Sequence, residues 1–131
     1  MYIIIVGCGE TGSKLAEDFS LGKDNVVVID KNPRALSFLG PRFNGRTIVG
    51  DGLDLKILEE AGIKNADYLF VLTGKENTNL VIAQIGKKIY KVKKVIVQVQ
   101  SFLKEEIFKK KGLITINRKA LFLDTFKKCI S

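Results

Sequence analysis

The run Tyr2-Ile3-Ile4-Ile5-Val6 passes without a break into Gly7-Cys8-Gly9-Glu10-Thr11-Gly12, and Val26-Val27-Val28-Ile29 closes on Asp30. An apolar run, a G-x-G-x-x-G loop and a helical pattern in that order admit few folds. The first glycine permits a sharp turn and the second leaves room for a pyrophosphate against the backbone. The third lets the helix pack closely on the strand. Phosphates then meet free N–H groups at a helix N-terminus, where the helix dipole favours negative charge. Asp30 lies 18 positions after Gly12, near the ~20-residue spacing of a carboxylate that bonds ribose hydroxyls. The loop is a binding device and performs no chemistry of its own.

Strand-type and helix-type segments alternate along the whole chain. A helix is expected over about 11–21, strand two over 26–30, a short helix over 34–39 opened by Asn32-Pro33, and strand three over 47–49. Asp54 is placed to cap a helix that Gly62 stops. Residues 67–73 (DYLFVLT) are apolar in the middle, as a central parallel strand requires. A long helix over 77–90, strand five over 94–99, a helix over 102–111, strand six over 113–116 and a helix over 118–130 complete the pattern. These predict an α/β, Rossmann-like, doubly wound parallel sheet of six strands in the order 3-2-1-4-5-6. A ligand on such a sheet lies at the carboxyl ends of the strands, where this sequence groups Gly7–Gly12, Asp30, Gly50-Asp51, Thr73-Gly74 and Gln98.

Composition removes several alternatives. At 131 residues the chain forms a single domain, 1–131, with an ordinary 46% of hydrophobic residues. No apolar run approaches the ~20 residues that cross a bilayer, so the chain reads as cytoplasmic. With no histidine and two distant cysteines, Cys8 and Cys129, it offers no metal site and lacks the commonest general base. No catalytic residue is expected. Residues 1–65 carry eight Lys/Arg against nine Asp/Glu, whereas residues 66–131 carry fourteen against five. Most of the surplus lysines sit at helix C-terminal ends, where they complement the dipole; an anionic surface or acidic partner is the second reading. Nucleic acid is not expected, since no aromatic and basic residues interleave.

The segments MYIIIVGCGETGSKLAEDF, VVVIDKNP, VGDGLDLKILEEAGIKNADYLFVLTGKENTNLVIAQ and KVIVQV resemble the N-terminal nucleotide-binding domain of Trk/Ktr potassium-uptake regulators. The same domain is the N-lobe of regulators of potassium conductance. The third segment is the most particular of the four. The resemblance implies that Gly7, Cys8, Gly9, Glu10 and Thr11 cradle phosphates and that Asp30 holds the adenosine ribose, with Gly12 and Lys31 also among the cofactor-binding residues. It places Asp51 near the adenine and Thr73 and Gly74 beside the far half of the ligand, and adds Gly52, Asn79 and Gln98 to the cofactor-binding residues. Plain alternatives stand beside these roles: Asp51 as a turn former, Thr73-Gly74 as a strand end, and Asn79 as a partner for backbone groups.

Family members that handle ATP often carry Arg where this chain has Glu10 and Gln98. Glu10 repels a triphosphate and Gln98 offers only neutral hydrogen bonds, while Asp30 disfavours a 2′-phosphate. NAD(H) therefore ranks first, then ADP or AMP, then ATP. The resemblance also implies a homodimer or larger ring beneath the membrane subunit of a potassium channel or transporter, at the inner face of the membrane. Leu121, Phe122, Leu123, Phe126 and Ile130 suit a helix that seeks a partner, or one that covers its own sheet edge. The family's second lobe is not expected within this chain. The competing function is an NAD-dependent oxidoreductase domain, which needs a substrate pocket and an acid/base group. Tyr90 and Lys94 have the right spacing for such a pair but sit at the start of a strand.

Overall fold

A computed structural model describes residues 1–130. Its strands are β1 (Tyr2–Val6), β2 (Asn25–Asp30), β3 (Arg46–Val49), β4 (Tyr68–Val71), β5 (Lys94–Val99) and β6 (Ile114–Asn117). They form one sheet in the order β3-β2-β1-β4-β5-β6 with every pair parallel. Helices α1 (Glu10–Ser20), α2 (Pro33–Leu36), α3 (Leu55–Glu60), α4 (Glu76–Gln84), α5 (Phe102–Lys109) and α6 (Arg118–Lys128) make the crossovers. The expected fold class and strand order are both present.

Side chains alternate between the two faces of a strand, and here both faces are covered. Ile4, Val6, Val27 and Ile29 join Leu58, Leu80, Ile82 and Ala83 on one side. Ile3, Ile5, Val26 and Val28 meet Cys8, Ala16, Leu15 and Phe19 on the other. Burial on both faces explains why β1 and β2 are continuous apolar runs rather than alternating ones. Each fully buried Ile contributes about 1.5–3 kcal/mol relative to exposure.

The register fixes where the polar strand ends fall. Val6 pairs with Ile29 and Val71, Asp30 with Val49, Val71 with Val97, and Gln98 with Ile116. The segments that leave the sheet after β1, β2, β3, β4 and β6 thus emerge along one edge. Two elements differ from expectation. The helix after β2 covers only Pro33–Leu36. The long helix is α-helical to Gln84 and then widens into a π-helical turn, Ile85–Ile89, with Tyr90 N–H bonded to Ile85 O at 3.3 Å. Lys91, at φ +53°, then turns the chain toward β5. Helix α6 buries none of its residues. Leu121, Phe122, Leu123, Phe126 and Ile130 are exposed and do not cover the chain's own sheet edge.

Candidate functional site

The three glycines of the loop divide by what the fold demands of them. Gly7 has φ +109°, and a Cβ there would lie 2.7 Å from the Leu72 carbonyl group. A Cβ on Gly12 would be driven into the carbonyl oxygen of Gly7, so α1 can cross β1 this closely only without it. Gly9 is different: a Cβ there meets no atom within 4 Å. Two glycines serve the turn and the packing, and the third faces open space. Gly9 is also the N-cap of α1 and provides no side-chain acceptor. The first-turn N–H groups of α1 are left to whatever enters from the cleft, and they favour an anion.

Asp30 closes the second side of the loop. Its Oδ2 accepts from Cys8 N–H at 2.7 Å and its Oδ1 from Asn32 N–H at 2.8 Å. A carboxylate has about four acceptor positions, so acceptor capacity remains for hydroxyl donors. Lys31 Nζ stands 3.5 Å from Asp51 Oδ2, an exposed pair worth little by itself. Asp51 Oδ1 also accepts from Leu53 N–H at 2.9 Å, shaping the turn after β3. Cys8 is buried, and burial, reinforced by the negative charges of Asp30 and Glu17, pushes its thiol up to about 11. At neutral pH it is a protonated, unreactive filler of the loop.

Beyond β4 the wall is held by side-chain clamps. Asn79, 2% exposed, accepts from Thr73 N–H at 3.0 Å through Oδ1 and donates to Thr73 O at 3.0 Å through Nδ2. The Thr73 hydroxyl bonds the same Oδ1. Glu76 accepts from Gln100 N–H and Ser101 N–H and lies 3.4 Å from Lys104 Nζ. These bonds, led by that from Gln100, hold its carboxyl below the usual range. The first turn of α4 thereby fastens the ends of β4 and β5 together.

These pieces enclose an open cleft of about 730 Å³, inside the ~300–1,000 Å³ range of small-molecule sites. Gly7, Cys8, Gly9, Glu10, Thr11, Gly12, Asp30, Lys31, Asp51, Gly52, Thr73, Gly74 and Gln98 all line it. Asn79 does not; it supports Thr73 from behind. Sequence reasoning did not single out Asn32, Phe38, Thr78, Ile82 and Arg118, which also form the wall. Arg118 had a signal, since it directly follows β6 at the same edge as Gln98. The lining charges are polarised. Asp30 and Asp51, partly offset by Lys31, occupy the β2–β3 end, Glu10 the middle, and Lys75 and Arg118 the β4–β6 end. Among the described residues, Arg118 makes no side-chain hydrogen bond or ion pair. No cluster of three or more His, Cys, Asp or Glu suited to a metal occurs among them either.

A TrkA-N domain model matches residues 3–118. The chain belongs to the TrkA-N domain family. It is 32% identical over 116 residues to the Trk system potassium uptake protein TrkA of Streptomyces coelicolor, covering 88% of this chain and 52% of that protein. The chain spans about half the length of the first curated relatives it matches. Among solved structures, the TrkA-N domain of the inner membrane protein YbaL from Escherichia coli superposes with a TM-score of 0.87. That match has 17% identity and covers 99% of this chain and 96% of that one. The AMP-bound Kef C-terminal domain of Shewanella denitrificans gives 0.72 at 17% identity, over 90% and 72% of the two chains. At these identities the likeness is one of fold. No described helix of this TrkA-N chain is long and apolar enough to cross a membrane.

Proposed function

We propose that the cleft binds an adenine nucleotide cofactor and that its occupancy regulates potassium transport through a membrane subunit. The observation that carries the reading is the pairing of two features across the loop. An uncapped α1 N-terminus faces open space at Gly9, and the Asp30 carboxylate is fixed 2.7 Å from Cys8 N–H. Phosphates sit on the N–H groups at the first, and ribose hydroxyls meet the second. Gly7–Gly12 hold the diphosphate, Asp30 with Lys31 the ribose, Asp51-Gly52 the adenine side, and Thr73, Gly74 and Gln98 the far half. Asn79 acts by holding Thr73.

NAD(H) ranks first because Asp30 selects a free ribose and Glu10 disfavours a third phosphate. A specific observation favours ADP or AMP as the second reading: Lys75 and Arg118 make the far end of the cleft cationic. The domain acts as a sensor rather than an enzyme. It works in a homodimer or ring on the cytoplasmic face of the membrane, and the ligand gates flux by its differential affinity for two arrangements. The names of the relatives support potassium transport as the process. Affinity purification of the chain from its host's membranes, with and without NADH, tests the assignment. Recovery of a potassium-transporting membrane subunit, in an amount that changes with NADH, is the expected result. Its absence under both conditions overturns the regulatory role.

A further inference from the structure

The end of the sheet opposite the cleft carries a charge surplus that the nucleotide site does not use. The segments leading into β5 and β6 bring Lys87, Lys88, Lys91, Lys93 and Lys94 together with Lys109, Lys110 and Lys111. Folding makes the two groups neighbours. Parallel pairing sets Ile96 beside Ile114, and the Lys87 side chain packs at the Gly112 turn, where a Cβ would lie 3.2 Å from its Cε. None of these eight lysines belongs to the ion pairs of the described residues. Lys87 Nζ donates to Lys93 O at 3.4 Å, Lys94 lies over the Tyr68 ring and Lys111 over the Phe108 ring. No carboxylate of the described residues lies within ion-pair distance of these ammonium groups; the acidic residues nearest in sequence, Glu105 and Glu106, stand one helical turn before Lys109 and Lys110. Two further carboxylates near this end are already engaged. Glu59 bonds Tyr90 and Lys64, and Asp67 accepts from Tyr2 N–H.

We propose that this lysine face is a docking surface for the anionic headgroups of a lipid bilayer. Its chemistry separates a membrane from a protein partner. Protein hot spots are rich in Arg, Trp and Tyr, which lock into shaped pockets. All four arginines of the chain (Arg34, Arg42, Arg46 and Arg118) lie outside this face, and its aromatic rings, Tyr68, Tyr90 and Phe108, are half-buried. Flexible, strongly hydrated ammonium groups suit a diffuse negative field instead, and clusters of about four to eight basic residues are enough for attraction to an anionic leaflet. Ile89, 58% exposed among the lysines, adds a single apolar contact. Docking here leaves the cleft open at the other edge of the sheet.

The proposal stands apart from the nucleotide reading and is tested without nucleotide. The chain is sedimented with vesicles of phosphatidylcholine alone, and with vesicles containing about one-third phosphatidylglycerol, at rising salt. Two variants are compared: Lys88→Glu, Lys93→Glu and Lys110→Glu together on the face, and Lys14→Glu, Lys56→Glu and Lys119→Glu together away from it. Each set reverses three charges, so net charge changes equally. Expected are binding to the anionic vesicles only, loss on raising the salt, a drop of roughly a hundredfold for the face variant, and near-native binding for the control. Equal loss in both variants makes the effect one of bulk charge and overturns the proposal. So does absence of binding to anionic vesicles, or competition by double-stranded DNA at equal charge concentration.

Discussion

The two edges of this sheet use charge in opposite ways. At the carboxyl edge, Asp30 holds two backbone N–H groups and Asp51 faces Lys31, while Glu76 gathers two N–H groups and Lys104. At the amino edge of β5 and β6, eight lysines lie outside the ion pairs of the described residues. The first arrangement fixes positions to a fraction of an ångström, as recognition of one small molecule needs. The second fixes only a field. A cleft selects by geometry and a lysine face by sign, so the cleft is sensitive to single atoms and the face to the sum of its charges.

The largest effects should come from separating glycines the fold needs from the one that faces the cleft. Gly12→Ala pushes a methyl group into the Gly7 carbonyl and should destabilise the domain by about 3 kcal/mol, read by urea unfolding. Gly9→Ala adds its methyl to open space; it should leave stability within about 0.5 kcal/mol and weaken nucleotide binding by about tenfold or more. Equal stability loss in the two variants breaks the division. Asn79→Ala leaves the Thr73 backbone unpaired and should cost about 2–4 kcal/mol of stability, with ligand affinity falling only through Thr73. An Asn79→Ala protein of native stability that binds no nucleotide contradicts the clamp.

Asp30→Ala should weaken NADH by about 1–3 kcal/mol in calorimetry. Part of that loss belongs to the loop, because the same carboxylate holds Cys8 N–H. The smallest effect is the pH dependence of the far wall. The lowered pKa of Glu76 gives stability that is present above the ordinary glutamate range and lost as pH falls through the folded value. Thermal unfolding of Glu76→Gln should lie below the parent at neutral pH and converge with it in acid. A constant gap down to low pH removes the carboxylate bonds to Gln100 and Ser101 from the account.

Much of this was legible before the structure, for identifiable reasons. β1, β2 and β4 are short apolar runs bounded by turn residues, and parallel winding sends their polar ends to one edge. Strand ends therefore located the cleft residues. Asn79 was not separable by sequence, because an Asn in a first helical turn suits a ligand or a backbone equally well. Burial and the reach to Thr73 decide it. Arg118 was passed over because β6 is short and its carboxyl end coincides with the start of α6. The π-helical turn has no periodic signature, since Ile85 and Ile89 fit an α-helical stripe as well. Clustering of lysines from two separate segments also needed the register of β5 on β6.

The most direct test of the central claim is isothermal titration calorimetry of the purified chain against NADH, NAD, ADP, AMP and ATP. Binding at a stoichiometry of about one per chain, tightest for NADH and weakest for ATP, is the predicted result. A preference for AMP or ADP would transfer the far end of the cleft to phosphate recognition by Lys75 and Arg118. No heat and no competition from any of the five would contradict the account, leaving the Gly7–Gly12 loop as a turn that binds nothing.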